Sequence, residues 1–334
     1  MDPAHRASPP RLTLPLLLLP LLLLAPACSS TRVSAAERQR RIEVYRDTAA
    51  GYLNMGEYER AADQALRGLE LEPQDFHLRL YLGRALQKRG LTLDILRAEQ
   101  IFRALPADQD FRVPLGLAEV LERKGVALDE AARGVRSGER TTAAADPEAR
   151  SDQLAEQARA SWREAAATYE AALALRPDDT EVMNGLVRTR TLLGEMEESL
   201  VWSEAILKST SNERGFWEAQ MRRAGISDRE EDTIRANLAA LTELEVALHL
   251  QASATAVRLG RPDDAIAHLT RLIAIHSEIA AAYSSRAQLL VDRQRYEEAL
   301  ADIDAFLRLA ELPFEHEDIR RAFRLREACK AALK

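Results

Sequence analysis

The 334-residue chain is short of the residues that most chemistry requires. It holds two cysteines, Cys28 and Cys329, too few for a disulfide framework or a paired-cysteine metal or redox motif. Its histidines, His77, His249, His268, His276 and His316 among them, are scattered, with no His-x-x-x-His pair. His268 and His276 are eight residues apart, too far to share a ligand. No glycine-rich phosphate loop and no Gly-x-Ser-x-Gly motif occurs. The paired carboxylates Glu197-Glu198 and Glu297-Glu298 read as helix starts. Glu315-His316-Glu317-Asp318 likewise reads as a solvated start whose acids suit the N-terminal dipole, not as a metal site. No catalytic residue, metal site or cofactor is therefore expected. A basic surplus is missing too: the formal net charge is −7, which gives no support to nucleic-acid binding. Glycine, proline and aromatics are few and no stretch alternates at strand period, which predicts an all-α fold.

What is present is repetition. Gly56, Gly90 and Gly125 are spaced 34 and 35 residues apart, and one pattern surrounds them. In the first unit Tyr45 and Tyr52 precede Gly56, and Tyr58, Ala61, Gly68-Leu69, Leu71 and Pro73 follow it. Gly56 lets the chain reverse between two short helices, Ala61 lets them approach, and Pro73 ends the second. The phase continues through Leu82-Gly83, Gly90, Ala98 and Phe102, then Leu117, Ala118, Leu121 and Gly125. Later it resumes at Ala165 to Pro177, at Leu186, Gly194 and Met196 with Ser199 where alanine is usual, and at Gly260, Ala265, Tyr283, Ala287, Tyr296 and Ala299.

This pattern resembles the tetratricopeptide repeat, a 34-residue helix-turn-helix unit. The resemblance implies a right-handed α-solenoid with a C-terminal capping helix, whose business is binding rather than catalysis. The array is expected over residues 42–211, as units of about 42–75, 76–110, 111–179 and 180–213, the third carrying an insertion at 126–160. An atypical helical segment follows at 212–245, then two units over 246–313 and a capping helix at 314–334. Within the insertion, 134–151 reads as a mobile loop, and Asp146-Pro147 as the cap and first residue of a helix running to Arg176. Cys329 falls in the amphipathic terminal helix as a structural thiol, a disulfide-linked dimer or redox role being the alternative.

The N-terminus carries an export signal over residues 1–27. Arg6 and Arg11 precede Leu12 to Leu24, in which ten of thirteen residues are leucine, too short and proline-broken for a membrane span. Two readings of its end stay open. One is cleavage after Ala25-Pro26-Ala27. The other is a resemblance of Leu24 to Cys28 to a bacterial lipobox, in which Cys28 is acylated, Ser29 implies outer-membrane retention facing the periplasm, and residues 28–41 form a tether. With plain cleavage the protein would be soluble in the periplasm or secreted. Removing residues 1–27 takes the formal charge to −8.

In tetratricopeptide arrays the first helices line the concave face. By that resemblance Arg46, Asn54, His77, Arg84, Lys88, Arg112, Arg123, Asn184 and Arg188 face it, together with Glu43, Gln87 and Glu119. This basic lean in an acidic chain suits an acidic segment or chain-terminal carboxylate of a partner protein. A solvated groove whose charges serve solubility is the competing reading. Ala247, Leu250, Ala254, Val257, Ala281 and Val291 make the equivalent positions of the last units apolar, to receive an amphipathic helix or to pack on 212–245. The resemblance thus implies a membrane-tethered scaffold in a bacterial envelope. Related exported lipoproteins include pilotin-like proteins that assist secretin assembly. A regulator of an envelope enzyme, and a small-ligand binder or enzyme near Trp217, are the other classes.

Overall fold

The protein is described by a computed structural model over residues 34–142, 144 and 146–334. The leader, Cys28 and the start of the expected tether lie outside the described residues. Among the described residues the secondary structure is entirely helical, in six successive antiparallel pairs and a final single helix. The pairs are α1 (Ala35–Asn54) with α2 (Tyr58–Leu71), α3 (Phe76–Arg89) with α4 (Thr92–Arg103), and α5 (Arg112–Arg136) with α6 (Pro147–Leu175). Then come α7 (Thr180–Leu193) with α8 (Met196–Met221), α9 (Asp228–Arg258) with α10 (Pro262–Ile275), and α11 (Ala280–Asp292) with α12 (Tyr296–Leu309). α13 (Glu317–Ala332) packs on the last pair. The result is an α-solenoid.

Local chemistry sets the boundaries. Side chains of Ser34, Asp75, Asp146 and Asp179 accept the orphan N–H three residues on, and Ser227 and Glu230 form a reciprocal capping box. The turn inside a pair needs one left-handed residue. Gly90 and Gly194 supply it at φ 75° and 80°, while Gln294 holds the same place at φ 58° without glycine's freedom. Ala61, Ala98, Ala165, Ala265 and Ala299 are fully buried where second helices press on first ones. At the equivalent position Ser199 is also buried, and its hydroxyl donates to the Val187 carbonyl at 3.1 Å, so the polar atom is satisfied.

Three features differ from expectation. α1 starts at Ala35, so residues 35–41 are helix rather than tether. Gly125 makes no turn: it lies inside α5, where a Cβ would come closer than 3.0 Å to three atoms of the Trp162 indole of α6. The 126–160 segment therefore lengthens α5 and α6 into one hairpin of 25 and 29 residues, and of its described residues only 137–142, 144 and 146 lie outside the helices. Its seam is closed by Ser151 donating to Ala132 O and Ser161 to Leu121 O, each at 2.9 Å.

Residues 212–245 behave in the same way, forming the outer ends of α8 and α9, helices of 26 and 31 residues, rather than a unit of their own. α9 is both the inner arm of this hairpin and the first helix of the fifth pair. The α5–α6 turn lies within a pair and the α8–α9 turn between pairs, so the two tips sit at opposite edges of the solenoid.

Candidate functional site

First helices of successive pairs line one side of the molecule, and two hollows open there. Near the N-terminal end, Asn54 of α1, Tyr58 of α2, Tyr81, Arg84 and Lys88 of α3 and Arg112 of α5 enclose about 290 Å³. Arg84 Nη1 donates to Glu119 Oε2 at 2.5 Å, Lys88 Nζ lies 3.4 Å from Glu119 Oε1, and the Gln87 amide donates to the same carboxylate. Burial pushes the Glu119 carboxyl up, but Arg84, Lys88 and Gln87 outweigh it and hold it below the usual carboxylate range. Arg112 forks on Asp110 at 2.9 and 2.6 Å. That hydrogen bond raises Arg112, and it overcomes the burial that would lift Asp110. Arg123 Nη1 donates to the Gln87 carbonyl at 3.0 Å, at the end of α3. Four cations thus meet two carboxylates, and the cleft keeps a positive surplus in an acidic chain.

Of the nine residues expected in the groove, Asn54, Arg84, Lys88 and Arg112 line this one cleft, and Arg123 borders it through Gln87. The others lie elsewhere. Arg46 is ion-paired with Asp75, the cap of α3. Arg188 forks on Glu122 at 2.7 and 2.9 Å, and Tyr169 Oη donates to the same carboxylate at 2.7 Å. This bond to Glu122 raises Arg188, while burial, then Glu122, raises the Tyr169 phenol. The trio ties α5, α6 and α7 together. His77 meets the Phe76 ring edge to face and lies tilted to the Tyr81 ring, with centroids 5.3 and 6.2 Å away, and Asn184 is half-buried on α7. Much of the basic lean is therefore cancelled internally. The cancelling partners carry a readable signal: Glu119 follows Arg84 by 35 residues, one repeat, and residues one repeat apart on first helices are neighbours.

Near the C-terminal end, Leu250, Ala254 and Val257 of α9, Ser284, Ser285 and Gln288 of α11, and Arg321, Ala322 and Leu325 of α13 line a trough of about 460 Å³. Leu269, Ile303 and Phe306 also reach it from the second helices. The expected apolar residues Leu250, Ala254 and Val257 are in it, and no residue of 212–245 is. A separate hollow of about 380 Å³ lies at the α8–α9 tip, lined by Phe216, Trp217, Ile226 and Ile234.

Between these regions the structure gathers groups that the sequence leaves dispersed. Glu245 on α9 is buried, with Arg214 Nη2 2.7 Å and His276 Nε2 3.0 Å from it. One turn along α9, His249 Nδ1 lies 3.4 Å from His268 Nδ1 of α10, both rings buried. Burial first, then the His268 and Arg271 charges, push His249 down to about 4, and burial with Arg271 lowers His268. Only the Glu245–His249 spacing, four residues on one helix, hints at this in the sequence. Among the described residues no group of three or more His, Cys, Asp or Glu is placed to hold a metal ion, and no helix is long and apolar enough to cross a membrane.

Residues 154–213 and 250–313 match the tetratricopeptide repeat family. Among solved structures, a thermophilic tetratricopeptide repeat protein of Thermus thermophilus is 18% identical over 89% of this chain and 98% of its own, with a TM-score of 0.30. YrrB, a tetratricopeptide repeat protein with an unusual peptide-binding site, is 16% identical over 62% of this chain and 84% of its own, at 0.34. Pseudomonas aeruginosa pilF is 11% identical over 88% and 90%, at 0.35. At these scores the likenesses identify no partner. No curated protein sequence matches the chain.

Proposed function

We propose that this chain, whose segments 154–213 and 250–313 are tetratricopeptide repeats, is a protein-interaction scaffold tethered at Cys28 to the outer membrane of a bacterial envelope, facing the periplasm. It holds a partner protein by an acidic segment in the cleft between α1, α3 and α5. One observation carries the reading: the structure draws Asn54, Arg84, Lys88 and Arg112 from three helix pairs into one cleft with more cations than carboxylates. A carboxylate-bearing segment would gain charge-assisted hydrogen bonds there, while Arg84 stays anchored by Glu119. Tetratricopeptide repeats are in general interaction modules rather than enzymes.

The test is crosslinking in the native cell followed by mass spectrometry, comparing the natural chain with Lys88→Gln/Arg112→Gln. That double change removes two cleft charges without stranding Glu119, which keeps Arg84 and Gln87. Envelope proteins captured by the natural chain and lost with the variant support the reading; identical captures sink the cleft. Cys28→Ala moves the protein out of the membrane fraction if the anchor is acyl, and leaves fractionation unchanged if it is not.

A further inference from the structure

We infer that the trough between α9, α11 and α13 receives an amphipathic helix of a partner protein, its apolar stripe flanked by carboxylates. The inference extends the scaffold reading but does not depend on the α1–α3–α5 cleft.

The shape selects a helix. Leu250, Ala254 and Val257 run along α9 at helical spacing, and Ala322 and Leu325 face them from α13. Ala254 on that stripe and Ser284 and Ser285 on α11 are small. Small residues at a contact let a further helix approach to the usual distance of about 8–10 Å. A helix satisfies its own backbone, whereas an added strand would need a sheet edge, and the described residues contain no strand. Val257 is 46% exposed, so apolar surface stands ready to be covered. Residues 212–245, the outer part of the α8–α9 hairpin, contribute nothing to the lining, so no described residue of that segment covers the trough.

The charges select the flanks. Arg258 on α9 and Arg321 on α13 border the trough, both exposed, and neither has an ion-pair partner among the described residues. Arginines nearby do have partners: Arg261 with Glu197, Arg286 with Asp302, and Arg326 with Asp304. The carboxylate of the lining, Asp318, keeps its charge, because His316 Nδ1 3.5 Å away accepts the Asp318 backbone N–H, but the two arginines outnumber it. Carboxylates on both sides of an incoming stripe would complement the two arginines. An anionic lipid surface would also meet them, but a flat surface does not enter a trough formed by three helices.

The probes are two designed, fluorescein-labelled 16-residue helices with the same leucine stripe, one flanked by Glu and one by Lys, titrated into the purified protein by fluorescence anisotropy. The Glu-flanked helix is expected to bind at least about tenfold more tightly. Arg258→Glu/Arg321→Glu should reverse that preference with the far-UV dichroism unchanged, and Lys88→Gln/Arg112→Gln should leave it intact. Equal binding of the two helices, binding of neither, or indifference to the charge reversal overturns the inference. A protein that is dimeric alone and monomeric with Arg258→Glu/Arg321→Glu also overturns it, because a second copy then fills the trough. Loss of cellular partners with Lys88→Gln/Arg112→Gln, whatever these helices do, bears on the cleft alone.

Discussion

Gly125→Ala measures whether Gly125 is a turn residue or a packing residue. In the structure it lies within α5, and an added Cβ would come within 3.0 Å of Trp162 Nε1, Cδ1 and Cε2. The indole cannot easily retreat: it is 5% exposed, and its Nε1 donates to the Glu122 carbonyl at 3.3 Å. A helical Gly→Ala change alone gains about 1 kcal/mol in propensity. Forcing a methyl into a filled seam costs about 1–3 kcal/mol, and an approach to the ring well under 3.0 Å puts this contact in the upper part of that range, about 2–3 kcal/mol. In the natural chain the clash should win, for a net loss of about 1–2 kcal/mol, because the contact is with a pinned ring and not a flexible tip. With Trp162→Ala in place the methyl has room, the propensity gain remains, and Gly125→Ala should stabilise by up to about 1 kcal/mol. The coupling across the four chains is then about 2–3 kcal/mol, read from urea unfolding followed by far-UV dichroism. A left-handed turn glycine would instead lose about 1–2 kcal/mol in both backgrounds, with coupling near zero. That outcome would refute the continuous α5 and with it the long hairpin.

Gln294→Gly removes a non-glycine residue from φ 58° and should stabilise the α11–α12 pair by about 1 kcal/mol, seen as a rise in the urea midpoint; no rise would mean the left-handed conformation carries no strain here. The buried His249 imidazole is held neutral, its pKa lowered to about 4 against 6.5 unfolded, so its contribution is present above pH 6.5 and is lost as the pH falls from 6.5 to 4. Between pH 7.5 and 5 this one ring should cost about 2 kcal/mol, and His249→Gln should lose about that much less over the same interval; parallel pH profiles for the two chains would contradict the burial argument.

Sequence periodicity alone determined that the chain is an all-helical array, because each short-range rule acts within one repeat. A glycine reverses the chain at Gly90 and Gly194, alanine fits under the neighbouring helix at Ala61 and Ala299, and Asp146-Pro147 opens α6 at its predicted start. The role of Gly125 was not legible, since glycine serves a left-handed turn and a close helix contact equally well, and only Trp162, 37 residues on, decides which. The continuation of α8 through Phe216-Trp217 likewise depended on α9 running back along it. For the candidate site, the first-helix positions brought Asn54, Arg84, Lys88 and Arg112 to one cleft, while Arg46 and Arg188 proved to be tied to Asp75 and Glu122. Pairings over 29 and 66 residues follow from how neighbouring pairs stack, which no local pattern records. The buried Glu245–His276 contact and the trough that needs α13 as its third wall are tertiary in the same sense. Periodicity says which side of a helix faces inward; stacking determines which residue waits there.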